Sequence, residues 1–257
     1  MKKFCLVGKD IENSLSPKIH KYIFKKFNLN ADYQLLNIKR FDQLNIVLND
    51  LRSNKLSGIN ITNPYKIDLY SHMEELTEAC ASIKAVNCID YKENRIKGCN
   101  TDWFGFLKMM DASNVSLIDK KIKIIGNGGA YNAIIYALSI TGCASIELYD
   151  RENLDNFTHQ KLDQRSIVIN CTPEHFLNND IIFMEHFIRG KYLWIDLLYT
   201  KLSTKKLKLI NQKKKNMYVN GLDMLIFQAL ASIEIWFSKN IISNVDLDDL
   251  KKELNVK

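Results

Sequence analysis

The sequence lacks any long hydrophobic segment. No apolar run in its 257 residues approaches the roughly 18 that a membrane-spanning helix needs. The apolar stretch near the N-terminus, residues 4–7, is too short for a signal peptide and is typical of a first strand. The hydrophobic fraction of 46% and charged fraction of 25% are ordinary for a globular protein. We therefore expect a cytoplasmic protein without membrane association, long enough for one large domain or two modest ones.

The six cysteines lack the close pairing of a zinc site or a disulfide framework. They stand at positions 5, 80, 88, 99, 143 and 171, and none forms a Cys-x-x-Cys pair. Buried free thiols in a reducing compartment are the better interpretation, and we predict no metal site.

Much of the formal net charge of +7 comes from a lysine-rich stretch, Lys201 to Lys215. Such a stretch is either a solvated helix face or a nucleic-acid patch. No aromatic residue is interleaved in it, so we favour the solvated face and expect no nucleic-acid partner. The positive surplus would still help to attract an anionic substrate and cofactor.

Short apolar runs alternate with helical stretches along the chain, which is typical of α/β architecture. No internal repeat or low-complexity linker interrupts this pattern. The predicted strands cover residues 4–7, 33–37, 58–61, 85–90, 95–99, 122–125, 145–149, 166–170 and 192–197. The predicted helices cover residues 17–27, 41–52, 130–140 and 221–238, the first with Ser16 as N-cap.

A glycine-rich turn, Gly126-Asn127-Gly128-Gly129-Ala130, joins a predicted strand to a predicted helix. This context suits pyrophosphate, because glycines let the backbone approach and the helix N-terminus offers free N–H groups. Asp150 closes the next strand, where an acidic residue would meet the ribose of NAD, whereas Arg151 favours the 2′-phosphate of NADP. A tight turn without any ligand is the alternative.

Four short segments of the first half carry polar residues that a hydrophobic core would not need. They are residues 14–17, 60–66, 85–87 and 100–102. Each lies at a predicted strand end or helix start, where α/β sheets bind their ligands. Any one of these side chains would serve as a helix cap or a turn residue, but their joint occurrence indicates a binding site.

These segments resemble, in order, the motifs of the shikimate dehydrogenase family. Ser14-Leu-Ser16-Pro17 is similar to the family's Ser-x-Ser-Pro, and residues 58–66 to its Gly-x-Asn-Val-Thr-x-Pro-x-Lys. Residues 100–105 match the family's Asn-Thr-Asp-x-x-Gly. The resemblance covers nearly the whole chain, since further motifs match residues 84–88, 126–130, 196–199 and 221–228.

The departures from the family pattern lie mostly in the second half. Lys84 and Cys88 replace a glycine and a threonine around Asn87. The family usually has a glycine soon after the segment that corresponds to residues 170–173, and this chain lacks it. The family usually has a proline after the tyrosine that corresponds to Tyr199, and Lys201 stands in its place. Tyr131 and Asp150 alter the cofactor loop.

The resemblance implies two α/β domains with the active site in the cleft between them. The substrate domain would comprise residues 1–101, and the C-terminal helix of residues 221–257 would return to it. Residues 102–220 would form a Rossmann-like dinucleotide-binding domain. The implied reaction is the reversible, NADP-dependent reduction of 3-dehydroshikimate to shikimate by a monomer or homodimer. Open alternatives are the use of quinate, the use of NAD because of Asp150, and a non-catalytic binding protein of the same fold.

The resemblance also implies the roles of individual residues. Lys66 and Asp102 are expected to be catalytic, since an ammonium can protonate the developing alkoxide while a carboxylate orients it. Ser14 and Ser16 would hold the substrate carboxylate with help from Tyr199. The residues expected to bind ring substituents are Asn60, Thr62, Asn87, Asp102 and Gln228. The residues expected to bind the cofactor are Gly126, Asn127, Gly128, Gly129, Ala130, Asp150, Arg151, Thr172, Leu197, Gly221 and Met224.

Overall fold

A computed structural model describes residues 1–158, 162–172, 192–199 and 218–254. The chain forms two compact units, one of residues 1–105 with 225–257 and one of residues 106–224. Each unit contains one β-sheet, so the predicted α/β class is confirmed. The lysine-rich stretch that begins at Lys201, like Pro173, lies outside the described residues.

The first unit is built on a six-stranded mixed sheet of order β2-β1-β3-β5-β6-β4. Its strands are β1 Lys2–Gly8, β2 Ala31–Asn37, β3 Gly58–Ile61, β4 Glu75–Leu76, β5 Cys88–Lys92 and β6 Arg95–Cys99. Strands β1, β2 and β3 are parallel, while β5 runs antiparallel to both β3 and β6. The carboxyl ends of β3 and β6 therefore meet the amino end of β5 at one edge of the sheet.

Helices flank both sheets. The α-helices of the described residues are α1 Ser16–Lys26, α2 Gln43–Arg52, α3 Glu78–Ile83, α4 Asp102–Ala112, α5 Tyr131–Ser139, α6 Leu154–Thr158, α7 Leu222–Phe237 and α8 Leu247–Glu253. The buried side chains of α1 include Ile19, Ile23 and Phe24, the three- and four-residue spacing of one helix face. The apolar core of the first unit includes Val7, Leu51, Ile59, Ile61 and Ile96.

The predicted elements of the first unit are present with shifted boundaries. Ser16 is the first helical residue of α1 and not its N-cap, which is Leu15 without a side-chain cap. Ser14 does the capping instead, because its Oγ accepts the N–H of Ser16. The strand predicted from residue 85 begins only at Cys88, since Val86 donates its N–H to the carbonyl oxygen of Lys66. The short elements between residues 68 and 83 and helix α8 were not predicted.

The second unit contains a five-stranded sheet of order β11-β10-β9-β7-β8 in which all strands are parallel. Its strands are β7 Lys121–Ile125, β8 Ser145–Tyr149, β9 Ser166–Asn170, β10 Leu193–Asp196 and β11 Tyr218–Asn220. From β7 the chain moves to β8 on one side and then to β9 on the other, which makes β7 and β9 the topological switch point. Open α/β sheets bind ligands at such a point, beyond the carboxyl ends of the strands.

All six cysteines are free thiols. Cys5, Cys80, Cys88 and Cys99 are buried as predicted. The prediction is wrong for Cys143 and Cys171, which are half-buried because they lie in the connections after α5 and β9. Within the described ranges, no helix combines the length and apolar character required to cross a membrane.

Candidate active site

A lysine and a carboxylate form a close pair at the edge where β3, β5 and β6 meet. Nζ of Lys66 lies 2.7 Å from Oδ2 of Asp102, and their side chains are only 12% and 7% exposed. Asp102 is the first residue of α4, where the positive end of the helix dipole favours a carboxylate. The pair is therefore an ion pair in a largely dehydrated position, with an ammonium available to a neighbouring ligand.

The side-chain amide of Asn87 fixes the other oxygen of Asp102. Its Nδ2 donates to Oδ1 of Asp102 at 2.8 Å and to Oγ1 of Thr101 at 3.0 Å. Its Oδ1 accepts the N–H of Thr101 at 2.7 Å. Both amide hydrogens of Asn87 are thus used inside the protein, so a hydrogen bond from Asn87 to a ligand must replace one of these bonds. In this structure Asn87 orients Asp102.

Asn60 lies on β3 directly opposite Cys88 of β5. Its Nδ2 donates to the carbonyl oxygen of Asn87 at 3.1 Å and to Oγ of Ser232 at 2.9 Å. Its Oδ1 accepts a hydrogen bond of 2.8 Å from the hydroxyl of Tyr33. All these groups are buried, so Asn60 is held from three sides.

Thr62 and Lys66 lie in the segment that follows β3. The N–H of Thr62 donates to the carbonyl oxygen of Val7, which places Thr62 beside the carboxyl end of β1. The Asn63–Pro64 peptide bond is cis. The carbonyl oxygen of Lys66 accepts the N–H of Val86, which ties this segment to the loop that carries Asn87.

Ser14 and Ser16 lie together at the start of α1. The hydroxyl of Ser14 donates to Oγ of Ser16 at 3.2 Å. Ser14 is half-buried and Ser16 is buried. Two neutral hydroxyls beside a helix N-terminus can donate hydrogen bonds to an anion, and Ser14 would then exchange its bond to Ser16 for one to the anion.

Gln228 and Tyr199 are the remaining residues predicted to bind substrate. Gln228 lies half-buried on α7 in the first unit, where its Nε2 donates to the carbonyl oxygen of Leu225. Tyr199 belongs to the second unit and follows β10. Burial raises the pKa of the Tyr199 hydroxyl above its usual value.

The predicted cofactor residues of the second unit lie at the carboxyl ends of its strands. The glycine-rich turn follows β7, Thr172 follows β9, Leu197 follows β10 and Gly221 follows β11. Met224 is buried in the first turn of α7. Asn127, Gly128, Gly129 and Ala130 lead from Gly126 into α5, whose N-cap Ala130 provides no side-chain cap. The N–H of Tyr131, the first residue of α5, donates to the carbonyl oxygen of Gly128 at 2.9 Å. No side chain caps the N–H groups that follow it in the first turn, and an anion could accept hydrogen bonds from them.

Two glycines allow a backbone approach that no other residue would permit. Gly126 has a φ of 90°, and a Cβ there would lie 2.7 Å from Cγ2 of Thr172. A Cβ at Gly221 would lie 2.0 Å from the carbonyl oxygen of Leu197. The loops after β7 and β9 therefore touch at the switch point. The loops after β10 and β11 also touch each other.

Asp150 and Arg151 follow β8, next to the glycine-rich turn on β7. Oδ1 of Asp150 accepts the N–H of Glu152 at 3.0 Å, and its own N–H donates to Oδ1 of Asn153 at 2.8 Å. Asp150 therefore shapes this turn with one carboxylate oxygen. Arg151 is exposed.

Three buried residues that support the site were not predicted, namely His20, Tyr33 and Ser232. They lie on a helix or a strand where core residues are expected, so periodicity gives no sign of their polar contacts. In the part of the chain that the structure describes, no group of three or more His, Cys, Asp or Glu residues could hold a metal ion.

The chain is similar to known proteins over most of its length. Residues 6–89 match the family described as the shikimate dehydrogenase substrate binding domain. The chain is 32% identical to a shikimate dehydrogenase (NADP(+)) of Clostridium botulinum over 90% of its own length and 95% of that protein. It is 30% identical to the protein of the same name from Caldicellulosiruptor bescii, with 100% and 98% covered.

A solved structure gives the same result. The crystal structure of a chorismate mutase/shikimate 5-dehydrogenase fusion protein from Clostridium acetobutylicum superposes with a TM-score of 0.85 at 28% identity, covering 100% of this chain and 97% of that one.

The curated relatives are dehydrogenases, so the chain is an NAD(P)-dependent oxidoreductase, a class that the parallel sheet with its glycine-rich turn and the lysine–aspartate pair fit. The chain belongs to the shikimate dehydrogenase family.

Proposed function

We propose that this protein catalyses the reversible, NADP-dependent reduction of 3-dehydroshikimate to shikimate. The observation that carries the proposal is the ion pair of Lys66 and Asp102, at 2.7 Å and nearly buried, which brings together residues of three motifs with Asn87. Asn87 holds Oδ1 of Asp102 and its own carbonyl oxygen accepts from Asn60, so the ion pair belongs to a buried polar network, which an isolated structural ion pair would not need.

Lys66 is the proton donor of the reduction. The nicotinamide, when bound, supplies the hydride, and the protein must deliver one proton to the oxygen of the former carbonyl group. The ammonium of Lys66 can give that proton, and in the reverse direction the neutral amine can take it from the hydroxyl. Asp102 holds the ammonium in place and stabilises its charge through Oδ2, while Asn87 holds Oδ1.

The first unit binds the substrate. Ser14 and Ser16 donate hydrogen bonds to its carboxylate, and the hydroxyl of Tyr199 is assigned to the same group. The ring substituents are bound by Asn60, Thr62, Asn87, Asp102 and Gln228. These roles are supported by the convergence of Asn60, Asn87 and Asp102 at one sheet edge.

The second unit binds the cofactor. The residues present fit a dinucleotide, because among the described residues a Cβ at Gly128 would meet only the carbonyl oxygen of Cys171, at 3.9 Å, and no side chain caps the start of α5. Gly126 to Ala130 would hold the pyrophosphate, and Asp150 and Arg151 the adenosine ribose. Thr172, Leu197, Gly221 and Met224 would line the remaining length of the dinucleotide.

NADP is the cofactor that the relatives favour, since both curated relatives carry NADP(+) in their names. Asp150 points towards NAD on its charge alone, and Arg151 points towards NADP. Quinate is the less favoured substrate. A cytoplasmic location and a monomeric or homodimeric state stay predictions from the sequence.

Spectrophotometry at the nicotinamide absorbance band tests the proposal. The purified protein is assayed with shikimate and with quinate, each combined with NADP and with NAD. Reduction of NADP by shikimate is expected to be the fastest of the four reactions, and it should be lost in a folded Lys66→Ala variant. No turnover in any combination would overturn the proposed function.

A further inference from the structure

The orientation of the Asn60 amide is determined by its neighbours. The backbone carbonyl of Asn87 can only accept a hydrogen bond, so the side-chain nitrogen of Asn60 must face it. The side-chain oxygen then faces the hydroxyl of Tyr33, which must donate. The direction of every bond around Asn60 is therefore fixed by chemistry.

Ser232 fixes the second amide hydrogen. Its hydroxyl donates to the carbonyl oxygen of Gln228, one helical turn earlier on α7, at 2.9 Å. Because that carbonyl can only accept, the single hydrogen of Ser232 is committed, and its Oγ must accept from Nδ2 of Asn60 at 2.9 Å. Within the described residues, both amide hydrogens of Asn60 are used, and only a lone pair of Oδ1 is left.

Tyr33 is itself held in one place. The ring of His20 stacks on it with centroids 3.7 Å apart and planes inclined by 15°. Nδ1 of His20 lies 2.8 Å from the carbonyl oxygen of Ser16, an acceptor, so Nδ1 carries the hydrogen. His20 thus connects the backbone of Ser16, through the ring of Tyr33, to Asn60.

We propose that Tyr33 and Ser232 are positioning residues that lock Asn60, so that it meets the substrate only as an acceptor for a ring hydroxyl. This inference rests on the proposed function. Neither residue needs to touch the substrate. Each acts through the amide of Asn60, which keeps its orientation because all its other hydrogen-bonding positions are occupied.

A double-mutant cycle on Tyr33 and Asn60 tests the proposal. Tyr33→Phe keeps the ring that stacks on His20 and removes only the hydroxyl. It is expected to raise KM for shikimate about three- to tenfold, the range for loss of one hydrogen bond, with kcat changed less than twofold. In an Asn60→Ala background the same substitution should change KM less than twofold, since the group it positions is gone. Ser232→Ala should behave in the same way.

Tyr70→Phe is the matched control. The Tyr70 hydroxyl is partly buried in the same unit and donates to a backbone carbonyl, that of Ala81, at 3.5 Å. Its removal should leave KM for shikimate within twofold of wild type, and urea denaturation of both variants reports their stability. Should Asn60→Ala not fold, Asn60→Ser provides the second background.

The outcomes separate the two proposals. If the wild type is active and Tyr33→Phe raises KM for shikimate by the same factor in both backgrounds, the positioning role alone is overturned. A wild-type protein without activity on shikimate would overturn the proposed function and this inference with it.

Discussion

Lys66 and Asp102 are 36 positions apart in the sequence, yet Nζ of the lysine lies 2.7 Å from Oδ2 of the aspartate. The sheet topology brings them together, because Lys66 follows the carboxyl end of β3 and Asp102 follows that of β6. Strand β5 lies between these two strands and begins at the same edge, which adds Asn87 to the pair.

Removal of the Lys66 amine should abolish most of the activity. Lys66→Ala is expected to lower kcat by roughly two to four orders of magnitude, the range for lost acid–base catalysis, with a far smaller change in the KM for shikimate. Steady-state kinetics measures both. Lys97→Ala is the matched control, since Lys97 also pairs with a carboxylate, that of Glu75, in the same unit. A near-normal kcat in folded Lys66→Ala would contradict the assignment.

Ser14 should contribute to carboxylate binding. Ser14→Ala is expected to weaken shikimate binding by about 1–3 kcal/mol, the cost of an unpaired buried polar group. The methyl ester of shikimate should bind the wild type more weakly than the acid but lose little more in the variant. Calorimetric titration gives the affinities, and equal affinity of the wild type for acid and ester would refute the role. Because Ser14 also caps the N–H of Ser16, thermal unfolding should be recorded for the same variant.

The sequence was sufficient to predict the architecture and to place polar residues at strand ends. The glycine-rich turn, for example, was identifiable because strand, turn and helix follow one another within a few residues. The boundaries were less accurate where a tertiary contact decides them, as at Val86, whose N–H binds the carbonyl oxygen of Lys66. No local pattern contains that pairing.

The supporting residues show the same limit. Tyr33 has the spacing of a core strand residue, and Ser232 lies in an apolar helix, so both appear structural in the sequence. Their hydrogen bonds to Asn60 span 27 and 172 positions, and only the folded chain defines them. Resemblance to family motifs identifies the residues that bind the substrate or react with it. It does not identify the residues that fix the orientation of those side chains.

Asp150 should influence the balance between the two cofactors. Asp150→Asn retains the side-chain oxygen that accepts the N–H of Glu152, so the turn should persist while the negative charge is lost. We expect kcat/KM for NADP relative to NAD to rise by about tenfold if about 1.4 kcal/mol of repulsion is relieved. Arg151→Ala should shift the ratio in the opposite direction, because the guanidinium is a forked donor for the 2′-phosphate. Kinetics with both cofactors checks this, and unchanged ratios would mean that this turn does not meet the ribose.

His20 should make the fold sensitive to mild acid. Burial lowers its pKa from 6.5 to about 3, whereas the hydrogen bond to Ser16 opposes the shift. The unfolded chain therefore binds a proton between those pH values that the folded chain does not, and stability falls as the pH falls below 6.5. Between pH 7.5 and pH 5 the loss should be about 2 kcal/mol. Urea denaturation at both pH values measures this loss. His20→Phe retains a ring beside Tyr33, and its free energy of unfolding should fall by about 2 kcal/mol less than that of the wild type over the same pH range. An equal fall in the variant and the wild type would contradict the buried neutral state of His20.

Lys84 should be a site at which the family's glycine stabilises the protein. It is the C-cap of α3 and has left-handed backbone angles, φ 57° and ψ 34°. A Cβ in that conformation costs roughly 1–2 kcal/mol, partly offset because glycine gives the unfolded chain more freedom. Lys84→Gly should therefore raise the free energy of unfolding by about 0.5–1 kcal/mol, and Lys84→Ala, which keeps the Cβ and removes the exposed charge, should not. Urea denaturation of the three proteins distinguishes these cases. Equal stabilisation by glycine and alanine would assign the effect to the lysine side chain and exclude the backbone explanation. A gain with glycine alone would identify Lys84 as a position where this chain keeps a strained backbone.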